Sequence, residues 1–269
     1  MDNSLGRQAW IILPAFNEAE NLVSLLKEIA AVARDCMQPW GCCIVVVNDG
    51  SVDNTATVVE SFRAATDKSG CSRLRVTLLK HETNLGLAAA LRTGFTYCCD
   101  HAGDEDAFVV MDSDNSHSPT LLPEMLERVS RSCDVVIASR YRRGSRVVGV
   151  PLQRLFLSWA ARWIFKLFFP IRGVRDYTCG FRAYRSALIK GSMKEHSDFI
   201  SERGFTCMVD ILLKLRRQTP TVVMCEVPLT LRYDQKKGGS KMKVARTVIQ
   251  SLRLIFRRLV HPARERLAP

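Results

Sequence analysis

No run of about 18 uninterrupted apolar residues occurs in the 269 residues, so the sequence predicts no transmembrane helix. The opening MDNSLGRQAW lacks an apolar h-region and reads as no secretory signal. The pattern G-x-G-x-x-G is missing, which argues against a dinucleotide-binding dehydrogenase. Ten cysteines are present, but none stands in C-x-x-C or in a Cys/His zinc spacing. Several lie within apolar runs, and the expectation is reduced, mostly buried thiols in a cytosolic protein. There is no internal repeat. With 47% hydrophobic and 25% charged residues, the composition excludes disorder, collagen and coiled coil for the chain as a whole. The length suits one large domain or two small ones.

Acidic residues are scarce in the second half. Residues 1–139 hold 11 Lys and Arg against 19 Asp and Glu, a net −8, whereas residues 140–269 hold 28 against 8, a net +20. A half this basic implies an anionic partner: phosphate, nucleic acid or an anionic membrane surface.

The first half alternates short β-rich runs with helical patterns. Strands are expected over 9–13, 43–47, 74–80, 107–111 and 134–139, and helices over 19–34, 55–65, 85–98 and 120–130. Such alternation predicts an α/β fold with a mostly parallel central sheet flanked by helices. Strands such as Ile44-Val45-Val46-Val47 are apolar without alternation, as expected when both sheet faces are covered. In these sheets ligands bind at the carboxyl ends of the strands. Polar residues cluster there: Pro14, Asn17 and Glu18 after the first strand, Asn48-Asp49-Gly50-Ser51 after the second, Asp112-Ser113-Asp114 after the fourth and Ser139-Arg140-Tyr141 after the fifth. The second half predicts an aromatic helix over 155–169, helices over 205–217 and 243–260, a strand over 221–226, and a basic glycine-containing loop over 234–243.

Asp112 and Asp114 are the sharpest signal. In extended backbone, residues i and i+2 point the same way, so both carboxylates can face one hard cation such as Mg²⁺ or Mn²⁺. The bland alternative is an acidic loop. Asp49 is placed to accept hydrogen bonds from a nucleobase or ribose, while Asp53-Asn54-Thr55 reads equally as a helix N-cap. Arg140, Arg154 and Ser158 suit a phosphate, the last two sharing a helix face four residues apart. The alternative is surface arginines on an amphipathic helix. The loop Lys236-Lys237-Gly238-Gly239-Ser240-Lys241 reads as a diphosphate cover or as a solvated basic loop. The 243–260 helix, with Val244, Val248, Leu252, Ile255, Phe256 and Leu259 at helical spacing and Arg246, Arg253 and Arg257 between them, suits an interface or a core-packed terminus. His81, His101, His196 and His261 have no sequence partners and are assigned no role.

Taken together, the stretches ILPAFNEAENL, VVNDGSVDNT, NLGLAAALRTGF, VVMDSDNSHSP, VIASRY, DYTCGFRAY, GFTCMVDILLKL and GGSKM resemble the dolichol-phosphate mannosyltransferases. These are inverting glycosyltransferases of family 2 with a GT-A fold. The resemblance spans roughly 9–245. It implies that Pro14, Asn17, Glu18 and Asp49 serve the nucleotide end and that Asp112 and Asp114 bind the sugar nucleotide and a metal, Mg²⁺ or Mn²⁺. Arg140, Arg154 and Ser158 would clamp a lipid phosphate; the interval of fourteen between the two arginines matches. Lys241 would close over the diphosphate, and Asp210 stands where the family has an acidic residue near the site. Three departures stand out: Ser116 where a glutamine metal ligand is frequent, Asn48 for the first of two aspartates, and Gln235 for an arginine. Ser116 is then a shorter metal ligand, or water takes its place.

The implied reaction moves a sugar from a nucleotide sugar, GDP-mannose foremost, to a polyprenyl or dolichyl monophosphate. The alternative is UDP-glucose or UDP-N-acetylglucosamine as donor, with a polyprenyl phosphate or a non-lipid acceptor. Residues 1–240 would form the catalytic domain, with 151–169 as an acceptor-side helix, and 241–269 a basic amphipathic helix and tail. The enzyme would sit peripherally on the cytoplasmic face of a membrane, held by the membrane surface itself or by a small membrane-anchoring subunit. Nucleic acid is not an expected partner, since carboxylates at the strand ends would repel it.

Overall fold

The computed structural model describes residues 6–196, 198–202, 204, 206–235 and 244–260. The alternation becomes β1 Gln8–Ala15, α1 Ala19–Cys36, β2 Gly41–Asp49, α2 Thr55–Lys68, β3 Leu74–His81, α3 Leu87–His101, β4 Ala107–Val110, α4 Leu122–Arg131 and β5 Val135–Ser139. Then follow β6 Arg146–Val148, α5 Leu152–Phe168, β7 Arg182–Arg185, α6 Ser186–Glu195, α7 Thr206–Gln218, β8 Met224–Pro228, β9 Thr230–Arg232 and α8 Val244–Val260. The main sheet runs β3-β2-β1-β4-β7-β5-β8, and β6 pairs with β9 apart from it. Every pairing in the main sheet is parallel except those of β7, which runs against β4 and β5. The carboxyl ends of β1, β2, β4 and β5 therefore lie along one edge. Ile44, Val45, Val46 and Val47 are fully buried, as their unalternated pattern required.

Four elements were not legible as such: β6, β7, α6 and β9. The sequence of β7, Arg-Ala-Tyr-Arg, carries no apolar run. It is buried nevertheless, because Arg182 spends its guanidinium inside the protein, donating from Nη2 to the Tyr177 carbonyl at 2.7 Å and from Nη1 to that of Met208. Internal pairing of this kind removes the cost of burying a charge's donors. The expectation of ten free thiols also needs correction. Cys133 and Cys225 form a disulfide across 92 residues, since the parallel pairing of β5 with β8 brings them together. The other eight cysteines are free.

The terminal helix divides its apolar residues between the protein and its surroundings. Leu254 and Ile255 point inward and Arg258 goes with them, while Ile249, Leu252 and Phe256 are exposed. Arg258 Nη2 donates to the buried Asp210 Oδ1 at 2.5 Å, and Arg257 pairs with Glu202. The first pair seats α8 on α7, and the second ties it to the segment before α7. The acidic residue noted at 210 is thus spent on docking a helix. Lys241 and the rest of 236–243 lie outside the described residues.

Gly50 ends β2 with φ of +68°, and a Cβ there would strike the backbone of Thr83 and Asn84. Left-handed strain and a backbone collision add, each costing ~1–3 kcal/mol. Gly50→Ala is expected to lower unfolding stability by ~2–5 kcal/mol. A reduced urea midpoint at unchanged m-value would show it, and an unchanged midpoint would refute the close approach.

Candidate active site

The turn after β4 builds its geometry residue by residue. Ser113 points down and donates from Oγ to the Pro14 carbonyl at 2.8 Å, pinning the turn to β1. Asp112 and Asp114 flank it and both line a cavity of about 370 Å³. Asn115 takes a left-handed φ of +61°, and its Nδ2 donates to the Asn21 carbonyl and to Ser24 Oγ on α1. The Ser116 N–H donates to Asp114 Oδ1 at 3.1 Å. Gly180 comes so close that a Cβ would lie 3.3 Å from Asp112 Oδ1, so glycine leaves room at that carboxylate.

The same cavity is lined by Arg140, Arg154 and Ser158. Each is held by a second residue. Asp176, fully buried, accepts from Arg140 Nε at 2.8 Å and from its Nη2 at 2.6 Å, and Nη2 also reaches Thr178 Oγ1. Arg154 Nη1 donates to the Tyr233 hydroxyl at 2.7 Å, with the guanidinium 5.6 Å from that ring's centre. Ser158 Oγ lies 2.6 Å from the Tyr141 hydroxyl. Opposite, apolar side chains of α5, α7 and α8 close the walls, among them Leu155, Ile164, Phe165, Val209 and Ile255. One cavity is thus lined by paired carboxylates, by two guanidinium groups and by apolar side chains.

Burial opposes the charge on Arg140, but Asp176 outweighs it and raises the guanidinium's pKa above its ordinary value. Burial likewise pushes the Asp176 carboxyl up, and Arg140 pulls it back further, to below the usual carboxylate range. Glu226, whose Oε1 accepts from the N–H groups of Arg175 and Asp176, has its pKa raised by burial. Burial pushes the Cys179 thiol up to about 12, so this cavity-lining cysteine is no thiolate near neutrality.

Pro14, Asn17, Glu18 and Asp49 are not among the cavity's lining residues. They occupy the adjoining ends of β1 and β2. The Asp49 carboxylate is nearly saturated internally: Oδ1 lies 2.7 Å from His81 Nδ1 and accepts from the Leu85 N–H, while Oδ2 accepts from the Gly86 N–H. Its observed work is to hold the start of α3. Asn17, with φ of +52°, links to β2's loop through the Ser51 hydroxyl and the Val52 N–H. Glu18 accepts from Asn21 Nδ2 at 2.6 Å, and its own N–H donates to Thr55 Oγ1. Asp53 accepts from the Thr55 N–H and from the Ala19 N–H, while the N-cap residue of α2 is Asn54, whose side chain makes no capping bond.

Sequence reasoning gave no individual role to His117, Tyr141, Asp176, Thr178 and Tyr233. All but Tyr233 lie in stretches singled out above, and that was the available signal. Asp176 lies 36 residues from Arg140, and nothing in the spacing announces the pair. Among the described residues no three His, Cys, Asp or Glu side chains form a preassembled metal cluster. Asp112, Asp114 and the Ser116 hydroxyl are oxygen donors suited to a hard cation whose remaining ligands are diphosphate oxygens and water.

A mostly parallel sheet of this order, with paired carboxylates on its carboxyl edge, is the GT-A class of glycosyltransferase fold. The profile of glycosyl transferase family 2 matches residues 10–192, and the chain belongs to that family. It is 31% identical over 248 residues to dolichol-phosphate mannosyltransferase of Pyrococcus furiosus, covering 92% of this chain and 62% of that protein. It is 33% identical over 231 residues to undecaprenyl-phosphate mannosyltransferase of Micrococcus luteus, covering 86% of each. Polyprenol monophosphomannose synthase of Mycolicibacterium smegmatis is 31% identical over 232 residues, or 86% of this chain and 80% of that one. Among solved structures, glucosyl-3-phosphoglycerate synthase of Mycobacterium tuberculosis, in complex with Mn²⁺, UDP and glucosyl-3-phosphoglycerate, superposes with a TM-score of 0.62. That match covers 95% of this chain and 79% of that chain at 17% identity, a likeness of fold.

Replacing Asp176 leaves Arg140 buried without its counter-ion, so Asp176→Asn is expected to cost ~3–5 kcal/mol of stability. Because the folded pKa of Asp176 is depressed, the unfolded chain binds more protons and stability rises with pH. The contribution is complete above about pH 4 and is lost as pH falls through the lower folded value. Urea midpoints measured from about pH 2 to 5 should show this component in the wild type and lack it in the variant.

Proposed function

We propose that this family 2 glycosyltransferase transfers mannose from a nucleoside diphosphate sugar, GDP-mannose foremost, to a polyprenyl or dolichyl monophosphate. The observation that carries the reading is that one cavity is lined by Asp112 and Asp114, by Arg140, Arg154 and Ser158, and by apolar side chains of α5, α7 and α8. Two phosphorylated substrates have to meet, and the charges are arranged for two anions. The relatives named above, which act on dolichol-, undecaprenyl- and polyprenol-phosphates by their names, support the same acceptor class.

In this reading the acceptor phosphate attacks the anomeric carbon from the face opposite the diphosphate. The new bond forms from a phosphate oxygen, the bond to the diphosphate oxygen breaks, and the configuration inverts. A phosphate monoester has a second pKa near ~6, so it is already anionic at neutral pH and needs no general base. Arg140 and Arg154 hold it against the repulsion of the second anion. Asp176 and Tyr233 fix the two guanidinium planes, so that little reorganisation is left for the reaction. Asp112 and Asp114, with Ser116 or water beside them, would hold a Mg²⁺ or Mn²⁺ ion, which when bound would supply positive charge to offset that growing on the leaving diphosphate. Pro14, Asn17, Glu18 and Asp49 shape the nucleotide end, and Lys241 is assigned to the diphosphate on sequence alone. Residues 1–240 act as the catalytic body and 241–269 as a basic helix and tail.

Removing one preorganised charge-stabilising group costs ~10²–10³ in rate. Asp114→Ala is expected to lose turnover on that scale with the fold intact, and Arg154→Ala to raise KM for lipid phosphate far more than KM for the donor. A panel of GDP-mannose, UDP-glucose and UDP-N-acetylglucosamine with a short polyprenyl phosphate and Mn²⁺ or Mg²⁺ is the test. Transfer to no polyprenyl phosphate would refute the acceptor, transfer from a uridine donor alone would replace the donor, and full activity of Asp114→Ala in EDTA would remove the metal.

Among the described residues no helix is long and apolar enough to cross a membrane. The membrane contact is assigned to α5 and α8, whose outer faces expose Phe156 at 65%, Trp159 at 51% and Phe256 at 67% beside many basic residues. Both helices also wall the cavity, which lets a lipid enter from the surface they rest on. The chain is expected to float with anionic liposomes at low salt and to release as salt screens the charges. Failure to float at low salt would assign recruitment to a membrane subunit.

A further inference from the structure

His117 is buried and its ring is stacked on Phe181, with centroids 5.3 Å apart and planes inclined by 29°. Its backbone is bridged to Leu231, so the ring has little freedom. Yet Nδ1 of this ring is buried without a hydrogen-bond partner. An unmet buried nitrogen typically costs ~1–3 kcal/mol, and each such atom in a native protein calls for a reason.

The nearest acidic neighbour supplies one. Nδ1 lies 3.9 Å from Asp112 Oδ2. That is too long for a hydrogen bond. It is also shorter than twice a typical metal–ligand bond of ~2.1 Å, the greatest separation two ligands of one ion can have. Both residues line the cavity with Asp114 and Ser116, and Asp112 keeps 34% of its side chain exposed. Asp114 already accepts the Ser116 N–H, and the Ser116 hydroxyl is a short neutral donor. The protein's firmest nitrogen donor at this end is therefore the imidazole.

We infer that His117 Nδ1 is a ligand to the divalent ion, together with Asp112. The inference rests on the proposed sugar-nucleotide and metal role of Asp112 and Asp114. A neutral imidazole with its proton on Nε2 presents its lone pair at Nδ1. The two side chains and the diphosphate oxygens together complete the shell, which is why no preassembled three-residue cluster is needed. A mixed nitrogen and oxygen set also changes which ion is preferred. Imidazole suits the transition metals, whereas an all-oxygen set suits Mg²⁺. The enzyme is therefore expected to favour Mn²⁺ or Co²⁺ over Mg²⁺.

The test uses the full chain with ¹⁵N-labelled histidine, Mn²⁺ and either GDP or UDP. Pulsed EPR reads the nuclear modulation of the bound Mn²⁺, and a titration reads its affinity. The wild type should show a ¹⁵N-histidine coupling. His117→Phe preserves the stack on Phe181 and should abolish that coupling while weakening Mn²⁺ binding by ~10–100-fold or more. His117→Gln restores an oxygen donor and should bind Mn²⁺ without the coupling, with preference moved towards Mg²⁺. Mn²⁺ bound by the wild type with no ¹⁵N coupling, or a coupling that survives in both variants, would overturn the assignment to His117 and leave the metal reading standing. Absence of any Mn²⁺ binding with GDP or UDP would overturn the metal reading and this inference together.

Discussion

The bidentate ion pair between Arg140 and Asp176 ties the carboxyl end of β5 to the segment that leads into β7. That segment carries Thr178, Cys179 and Gly180 along the cavity wall and delivers the chain into the sheet in the antiparallel sense. Asp176 has no exposure, and Glu226 beside it accepts the Arg175 and Asp176 N–H groups. Burial raises the Glu226 pKa, with a smaller push from the Asp176 charge, whereas Asp176 has Arg140 to hold its own pKa down. The arrangement presents Arg140 in one orientation only, which is what charge stabilisation without reorganisation requires.

The two ends of the cavity are built on different terms. The carboxylate end stands on the parallel half of the sheet, where the turn after β4 is pinned to β1 by Ser113 and to α1 by Asn115. The guanidinium end stands on helix and loop, and each of its groups has a supporting partner drawn from elsewhere in the chain: Asp176, Tyr233 and Tyr141. Closing it is α8, whose seat on α7 is a buried aspartate–arginine pair. An apolar substrate tail and a polar headgroup can thus be served by one cavity, because charged groups and apolar side chains of three helices line it together.

Much of this was readable in advance. The unalternated apolar strands required a sheet covered on both faces, and the β-helix alternation required parallel pairing. From those two facts the polar clusters after β1, β2, β4 and β5 had to share an edge. The carboxylates of Asp112 and Asp114 followed from an i, i+2 spacing at a strand end. What local pattern cannot register is which internal partners a side chain also finds. Asp49 accepts from two backbone N–H groups and meets His81. Asp210 pairs with Arg258 of α8. The terminal helix takes up both of its readings, burying Leu254 and Ile255 and exposing Leu252 and Phe256.

Local sequence thus determined the periodicities, the strand ends and the residue types gathered there, because these depend on neighbours within a few positions. Tertiary structure alone decided which charges are spent inside the protein and which face the cavity. That choice depends on partners 36 to 79 residues away, such as Asp176 for Arg140 and Tyr233 for Arg154. Burial then sets its value, since a charge removed from water must find its counterpart wherever the chain happens to bring one.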